Sequence, residues 1–287
     1  MGMANLMQES ENDTTANDYQ FTISSDPSDV LAKVISGEYD IAALPTNTAA
    51  AAYAKSEKAV QMLAINTYGT LYVLQNTALE PEPLTDLSQL AGKTIETFGQ
   101  GANPEYILDY VLTKNGLIVG EDVTVNFSAT AEEVLAAAAS GTSAFVMLPE
   151  PSASVLRSKN AAFTTAFDLT EAWDSCAESP LVMGCLVVST AFAESNPAAV
   201  SAFLEEYADS VAETQNNPEE AAVWIASYNI VPSEAIAAAA LENCNLTCIT
   251  GEALQETVEG YYQILFDYNP AAIGGAIPDE AFYYTGE

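Results

Sequence analysis

The stretch Lys93-Thr-Ile-Glu-Thr-Phe-Gly-Gln-Gly-Ala-Asn-Pro-Glu-Tyr-Ile-Leu-Asp-Tyr-Val-Leu-Thr-Lys-Asn-Gly116 reads as strand, turn and helix in one run. Thr94 to Thr97 is a short β-branched strand. Gly99 and Gly101 make a sharp turn, because residues without Cβ bend freely and let a ligand come close to the backbone. Pro104 sits near the first helical position, where an N–H is not needed. The helix runs to Asn115, and Gly116 stops it. Its start offers free N–H groups and the positive end of a helix dipole.

The same rhythm extends both ways along the chain. Upstream, Tyr19 to Ile23 alternates apolar and polar residues and reads as a strand. Asp26-Pro-Ser-Asp29 opens a helix with Val30, Leu31, Val34 and Ile35 on one face, ended by Gly37. Tyr39 to Leu44 is a buried strand, and Thr46 or Asn47 caps the helix that continues through Ala54. Gln61 to Gln75 gives a strand, a kink at Gly69 and a second strand. Residues 76–92 hold two prolines and polar spacing, the pattern of a crossing to another domain. Downstream come a strand (Val123 to Phe127), a helix (Ala131 to Ser140) and a strand (Ser143 to Leu148) ending at Pro149-Glu-Pro151. A helix, a short strand (Phe163 to Leu169) and a long apolar strand (Pro180 to Ser189) complete the set. Helices starting at Pro197, Pro218, Ser233 and Glu252 fill the rest. Short strands alternating with alanine-rich helices predict an α/β fold of parallel sheets flanked by crossover helices. Two domains suit the 287 residues.

Composition excludes several functions. The chain has 40 acidic residues, 7 basic ones and no histidine, for a net charge of −33. It lacks a basic surface for phosphates, so nucleic acid is excluded as a partner, and an anionic membrane face would repel it. Without histidine there is no Ser-His-Asp or Cys-His catalysis and no histidine-ligated metal; no catalytic residue, metal or cofactor is expected. No cation lies beyond Lys159. The first ten residues have neither the basic nor the apolar region of a signal peptide, and no apolar run is long enough for a membrane span. Cys176, Cys185, Cys244 and Cys248 lack metal or redox spacing. They read as small buried hydrophobes, with a Cys244–Cys248 disulfide the alternative in an exported protein.

Gly37-Glu-Tyr-Asp-Ile-Ala-Ala-Leu-Pro45, Leu90-Ala-Gly-Lys-Thr-Ile95 and Gly99-Gln-Gly-Ala-Asn-Pro-Glu-Tyr106 resemble substrate-binding proteins of ABC importers. The subgroup serves nitrate, sulfonate, taurine and thiamine-precursor uptake. The likeness continues through Ala144 to Pro149, Ser179 to Gly184 and Ile277 to Phe282, and spans essentially the whole chain. It implies a two-lobed type 2 periplasmic-binding-protein fold that closes on a small molecule by hinge motion. Residues 1–88 and 181–287 would form lobe 1 and residues 89–180 lobe 2, with hinges near Glu82 to Leu84 and Ser179 to Leu181. The implied role is extracytoplasmic, as a periplasmic protein or cell-surface lipoprotein, monomeric, delivering its solute to a permease driven by an ATPase. Against this family the chain opens one strand late. The expectation is that an export signal, the first strand of lobe 1 and one ligand loop precede Met1, leaving a gap in the sheet between strands 19–23 and 39–44.

In open parallel sheets ligands sit beyond the carboxyl ends of the strands. The candidate ligand residues are therefore Pro45, Thr46, Asn47, Tyr68, Gly69, Gly99, Gln100, Gly101, Ala102, Asn103, Glu105, Pro149 and Glu150. Tyr106 and Trp173 read as core at least as readily as stacking partners. No cation falls on these loops, and tight sulfonate or phosphate binding usually recruits arginine or lysine. The favoured ligand is a neutral or cationic small molecule, a heteroaromatic ring stacked on tyrosine being one form, with Glu105 or Glu150 as counter-charge. Two rival readings share the fold: a lyase-type enzyme acting on a small organic acid, and a ligand sensor coupled to a membrane receptor. The related thiamine-pyrimidine synthases use histidine and iron, and this chain has no histidine.

Overall fold

A computed structural model describes residues 1–24 and 26–286. In chain order the elements are α1 (Ala4–Glu11), α2 (Pro27–Ser36), β1 (Ile41–Pro45), α3 (Thr46–Lys55), β2 (Val60–Thr67), β3 (Leu71–Asn76), β4 (Thr94–Phe98) and α4 (Asn103–Lys114). Next come β5 (Thr124–Ser128), α5 (Ala131–Ala139), β6 (Phe145–Pro149), α6 (Ser152–Lys159), β7 (Phe163–Asp168) and α7 (Leu169–Asp174). The chain ends with β8 (Gly184–Ser189), α8 (Thr190–Ser195), α9 (Pro197–Asn216), α10 (Pro218–Ser227), α11 (Glu234–Leu241), β9 (Leu246–Ile249) and α12 (Glu252–Tyr268). These form two compact units. Unit 1 comprises Met1–Tyr68, Val182–Leu241 and the chain from Asn245; unit 2 comprises Gly69–Leu181 and the tripeptide Glu242–Cys244.

The first crossing therefore falls at Tyr68–Gly69, ahead of the prolines at 81 and 83 where the sequence suggested it. The reason lies in β3. Its six residues are all buried, and it is inserted between β6 and β7 of unit 2, with Leu71 opposite Pro149 and Tyr72 opposite Asp168. Gly69 suits the crossing because a Cβ there would lie 2.1 Å from Thr170 Oγ1 and 2.7 Å from Leu181 Cδ2. The return crossing lies at Leu181–Val182.

Unit 1 has strand order β1-β8-β2-β9, and every pair is antiparallel. This corrects the expectation of parallel pairs in that sheet. β1 and β2 do point the same way and are joined by α3, but β8, which follows unit 2 in the chain, is inserted between them and runs against both. Tyr19 to Ile23 forms no strand, and among the described residues β1 pairs with β8 alone. The alternation at 19–23 reflects side-chain burial instead: Tyr19 and Phe21 pack on the core of Leu6, Leu63, Leu186, Phe203 and Tyr207, while Ile23 is exposed. β9 interrupts a region read as almost entirely helical. At the carboxyl end, Asp279 accepts a hydrogen bond from Tyr53 and pairs with Lys58 at 2.6 Å, tying α3 and its following turn to the last residues.

Unit 2 has order β5-β4-β6-β3-β7, with β4 parallel to β5 and β6 and β3 antiparallel to β6 and β7. Its core includes Leu74, Val134, Val146, Leu148, Leu156 and Phe163. Trp173 is fully buried; its indole N–H donates to Ser179 O at 2.7 Å and its ring packs 4.6 Å from that of Tyr110. It belongs to the core, not to a ligand surface. All four cysteines are free thiols, and burial pushes that of Cys244 up to about 12. No helix among the described residues is long and apolar enough to cross a membrane.

Candidate functional site

In unit 1, strand register assembles one row. Gly184, the first residue of β8, lies opposite Pro45 on one side and Thr67 on the other, and Thr67 lies opposite Leu246. The row brings the ends of β1 and β2, with Thr46 and Tyr68 just beyond them, to one end of the sheet. Thr46 donates its N–H to Met183 O at 3.0 Å, and its carbonyl accepts from the Tyr262 hydroxyl at 3.0 Å. Its hydroxyl is buried with no partner among the described residues. Pro45 cannot cap α3 by its side chain, so the first turn of that helix, including buried Asn47, keeps donors unmet by any side-chain cap. A β-bulge between Ile65 and Thr67 turns Asn66 out of register, a common device for re-aiming a side chain near a site. Asn66 Oδ1 lies 2.5 Å from where a Cβ on Gly184 would sit, which explains the glycine, and it too is buried without a partner.

In unit 2, β4 and β6 run parallel, so the glycine turn after Phe98 and the Pro149-Glu150 corner leave the sheet at the same end. The antiparallel β3 enters there, and Glu150 N–H donates to Thr70 O at 2.9 Å beside Gly69. Gly99 and Gly101 both have positive φ, +76° and +74°, the left-handed region that favours glycine. Ala102 N–H donates to Gly99 O at 3.0 Å; Gln100 lies at the tip of this turn. The Tyr106 hydroxyl donates to Gly101 O at 2.7 Å, so that buried ring braces the turn. The Gly101 N–H donates to the Glu105 carboxylate. Asn103, the first residue of α4, is buried, and neither its carboxamide nitrogen nor its oxygen has a partner among the described residues. Thr170 Oγ1 is in the same condition beside Gly69.

Glu150 behaves differently from a counter-charge waiting for a ligand. Its side chain has no exposure, and it meets Arg157 Nη2 at 2.6 Å, Ser154 N–H at 3.0 Å and Ser154 Oγ at 3.0 Å. Burial raises its pKa, while Ser154 and Arg157 pull against that. Arg157 also donates to Thr165 Oγ1 at 2.8 Å. The structure thus brings one cation to a candidate loop, from seven residues further along the chain, and it is already matched to Glu150.

The sequence-predicted residues therefore fall into two sets, one per unit: Pro45, Thr46, Asn47 and Tyr68 in unit 1, and Gly69, Gly99 to Asn103, Glu105, Pro149 and Glu150 in unit 2. Sequence reasoning missed Asn66, Thr170 and Arg157. No local pattern marks Asn66, since the bulge that singles it out appears only in the register with β8. Among the described residues no group of three or more Cys, Asp or Glu is placed to hold a metal ion.

The family model described as NMT1/THI5 like matches residues 18–221. The chain belongs to the NMT1/THI5-like family. Among curated proteins none matches it in sequence. Among solved structures it is similar to an ABC transporter protein from Parabacteroides distasonis, at 22% identity and a TM-score of 0.83, covering 100% of this chain and 96% of that one. It is also similar to the periplasmic aliphatic sulphonate binding protein of Escherichia coli, at 16% identity and a TM-score of 0.74, covering 99% and 89%. The nitrate-binding protein of Synechocystis is a more distant likeness, at 13% identity and a TM-score of 0.58, covering 78% and 61%. The NMT1/THI5-like chain has the fold of the periplasmic binding proteins.

Proposed function

We propose that this chain is the solute-binding component of an ABC importer, capturing a small molecule and handing it to a permease driven by an ATPase. The observation that carries this is the set of buried polar atoms without partners, Thr46 Oγ1 and Asn66 Oδ1 in unit 1 and Asn103 and Thr170 Oγ1 in unit 2. Buried polar groups are nearly always hydrogen-bonded, so groups left open at the sheet ends call for an external partner. The family and the fold supply the context of solute uptake. The role is extracytoplasmic and non-catalytic, with the chain acting as a monomer. The neighbours' sulphonate and nitrate do not carry over, because Arg157, which reaches the Pro149-Glu150 corner, is matched to buried Glu150. A neutral or cationic solute fits, and Tyr68 offers a ring at the end of β2. Native mass spectrometry of protein purified from its host tests the reading. It predicts a mass excess of one small molecule, lost on denaturation; a bare chain under saturating growth conditions would count against it.

A further inference from the structure

Resting on that solute-binding reading, we infer that the glycine turn of unit 2 excludes anions through Glu105 and reads a neutral donor–acceptor edge through Asn103. The edge would be that of a carboxamide, a lactam or a similar N–C=O group.

A glycine turn leading into a helix is the usual seat for an anion, since free N–H groups and the helix dipole converge there. Here two of the turn's donors are taken, and the second residue of the helix has none. The Ala102 N–H is bound to Gly99 O, the Gly101 N–H is bound to the Glu105 carboxylate, and Pro104 has no N–H. The Glu105 carboxylate is itself an anion held at the start of the helix, so an anionic solute meets both an occupied donor and a like charge. Arg157 does not offset this, because it is committed to Glu150, Ser154 and Thr165.

Beside the turn sits a neutral, two-sided side chain. Asn103 is 3% exposed and presents one donor nitrogen and one acceptor oxygen, both unpartnered among the described residues. The complement of a carboxamide is a group offering an acceptor and a donor side by side. A sulfonate, phosphate or nitrate offers acceptors only and leaves the Asn103 oxygen unmet. An ammonium offers donors only and leaves the nitrogen unmet. A carboxamide or lactam edge meets both. Capping of α4 accounts for the Glu105 contact taken alone, but it does not account for Asn103.

The test is calorimetric titration of the full chain and three variants with uracil and nicotinamide as neutral probes, ethanesulfonate and nitrate as anions, and putrescine as a cation. Thermal unfolding confirms that each variant folds. The inference expects a neutral probe to bind the unaltered chain best. Asn103→Leu should weaken it about tenfold to a hundredfold, and the near-isosteric Asn103→Asp, which cannot donate, by a similar factor. Glu105→Ala should gain ethanesulfonate or nitrate affinity by about tenfold or more. Tightest binding of an anion or of putrescine by the unaltered chain overturns the inference and leaves the solute-binding reading standing. So does a folded Glu105→Ala variant with no gain for anions, or an Asn103→Asp variant with undiminished neutral binding. If no probe binds, the solute retained in native mass spectrometry decides: one with an N–C=O edge supports the inference and any other overturns it. If neither a probe nor a retained solute is found, both the inference and the reading fail.

Discussion

Replacing Arg157 by methionine isolates the buried charge pair at the end of β6. The variant keeps an unbranched apolar stem but leaves the Glu150 carboxylate, whose side chain has no exposure, with Ser154 as its one remaining partner among the described residues. Removing one member of a buried pair costs roughly 3–5 kcal/mol, because the other charge stays behind uncompensated. Arg157 is itself 28% exposed, so water follows into the space it leaves, and the expected loss is near the lower end, about 3 kcal/mol. Urea unfolding at pH 7.5 measures it, with Glu150→Gln and the double variant completing a mutant cycle. The double variant should recover most of the loss, since Gln still accepts from Ser154 and no charge is buried. The pH dependence has a definite sign. Burial raises the Glu150 pKa above the ordinary 4.5, so the folded state keeps a proton that the unfolded chain has released. The group's contribution to stability therefore falls as pH rises through that window. Losing Arg157 pushes the folded pKa higher and widens the window upward, so the Arg157→Met deficit should shrink as pH falls. A loss below about 1 kcal/mol, additivity of the two single variants, or a deficit that grows on acidification would refute the reasoning.

Three further outcomes follow from the same structure. Gly69→Ala places a Cβ against Thr170 and Leu181 at the crossing between units, and thermal unfolding should show a loss of about 1–3 kcal/mol. Asp279 has its pKa lowered first by hydrogen bonding to Lys58 and then to Tyr53, so its contribution is present above the ordinary carboxyl pKa of 3.8 and is lost as pH falls through the lowered value. Asp279→Asn should therefore melt below the unaltered chain at pH 7, and the two melting temperatures should converge at acid pH. With a net charge of −33, the folded chain repels itself, and its melting temperature should climb with added sodium chloride as the Debye length shrinks from about 30 Å at 0.01 M to about 3 Å at 1 M.

The parts of the fold legible in sequence are those whose signals are local. The β4–turn–α4 run announces itself through Gly99, Gly101 and Pro104, and β1–α3–β2 through a buried strand followed by alanines. What was not legible depends on partners far along the chain. β8 enters between β1 and β2 from more than a hundred residues away, which makes the unit 1 pairs antiparallel although β1, α3 and β2 read locally as a parallel crossover. β9 is four half-buried residues at the sheet edge, too short for a periodic signal. Tyr19 to Ile23 shows the converse error, since its alternation comes from two aromatic side chains resting on the core and not from a ladder. For the site, the glycine turn was visible. The Glu105 contact that occupies it, the Arg157 that reaches back to Glu150 and the bulge that turns Asn66 out of register are tertiary facts.

The most direct measurement is equilibrium dialysis of the full chain against the solute it retains from its host, followed by chemical analysis of what is recovered. Solute binding without catalysis predicts one molecule bound per chain and recovery of the solute unchanged after prolonged incubation. A solute that is not bound, or that is bound and returned as a different compound, would contradict it.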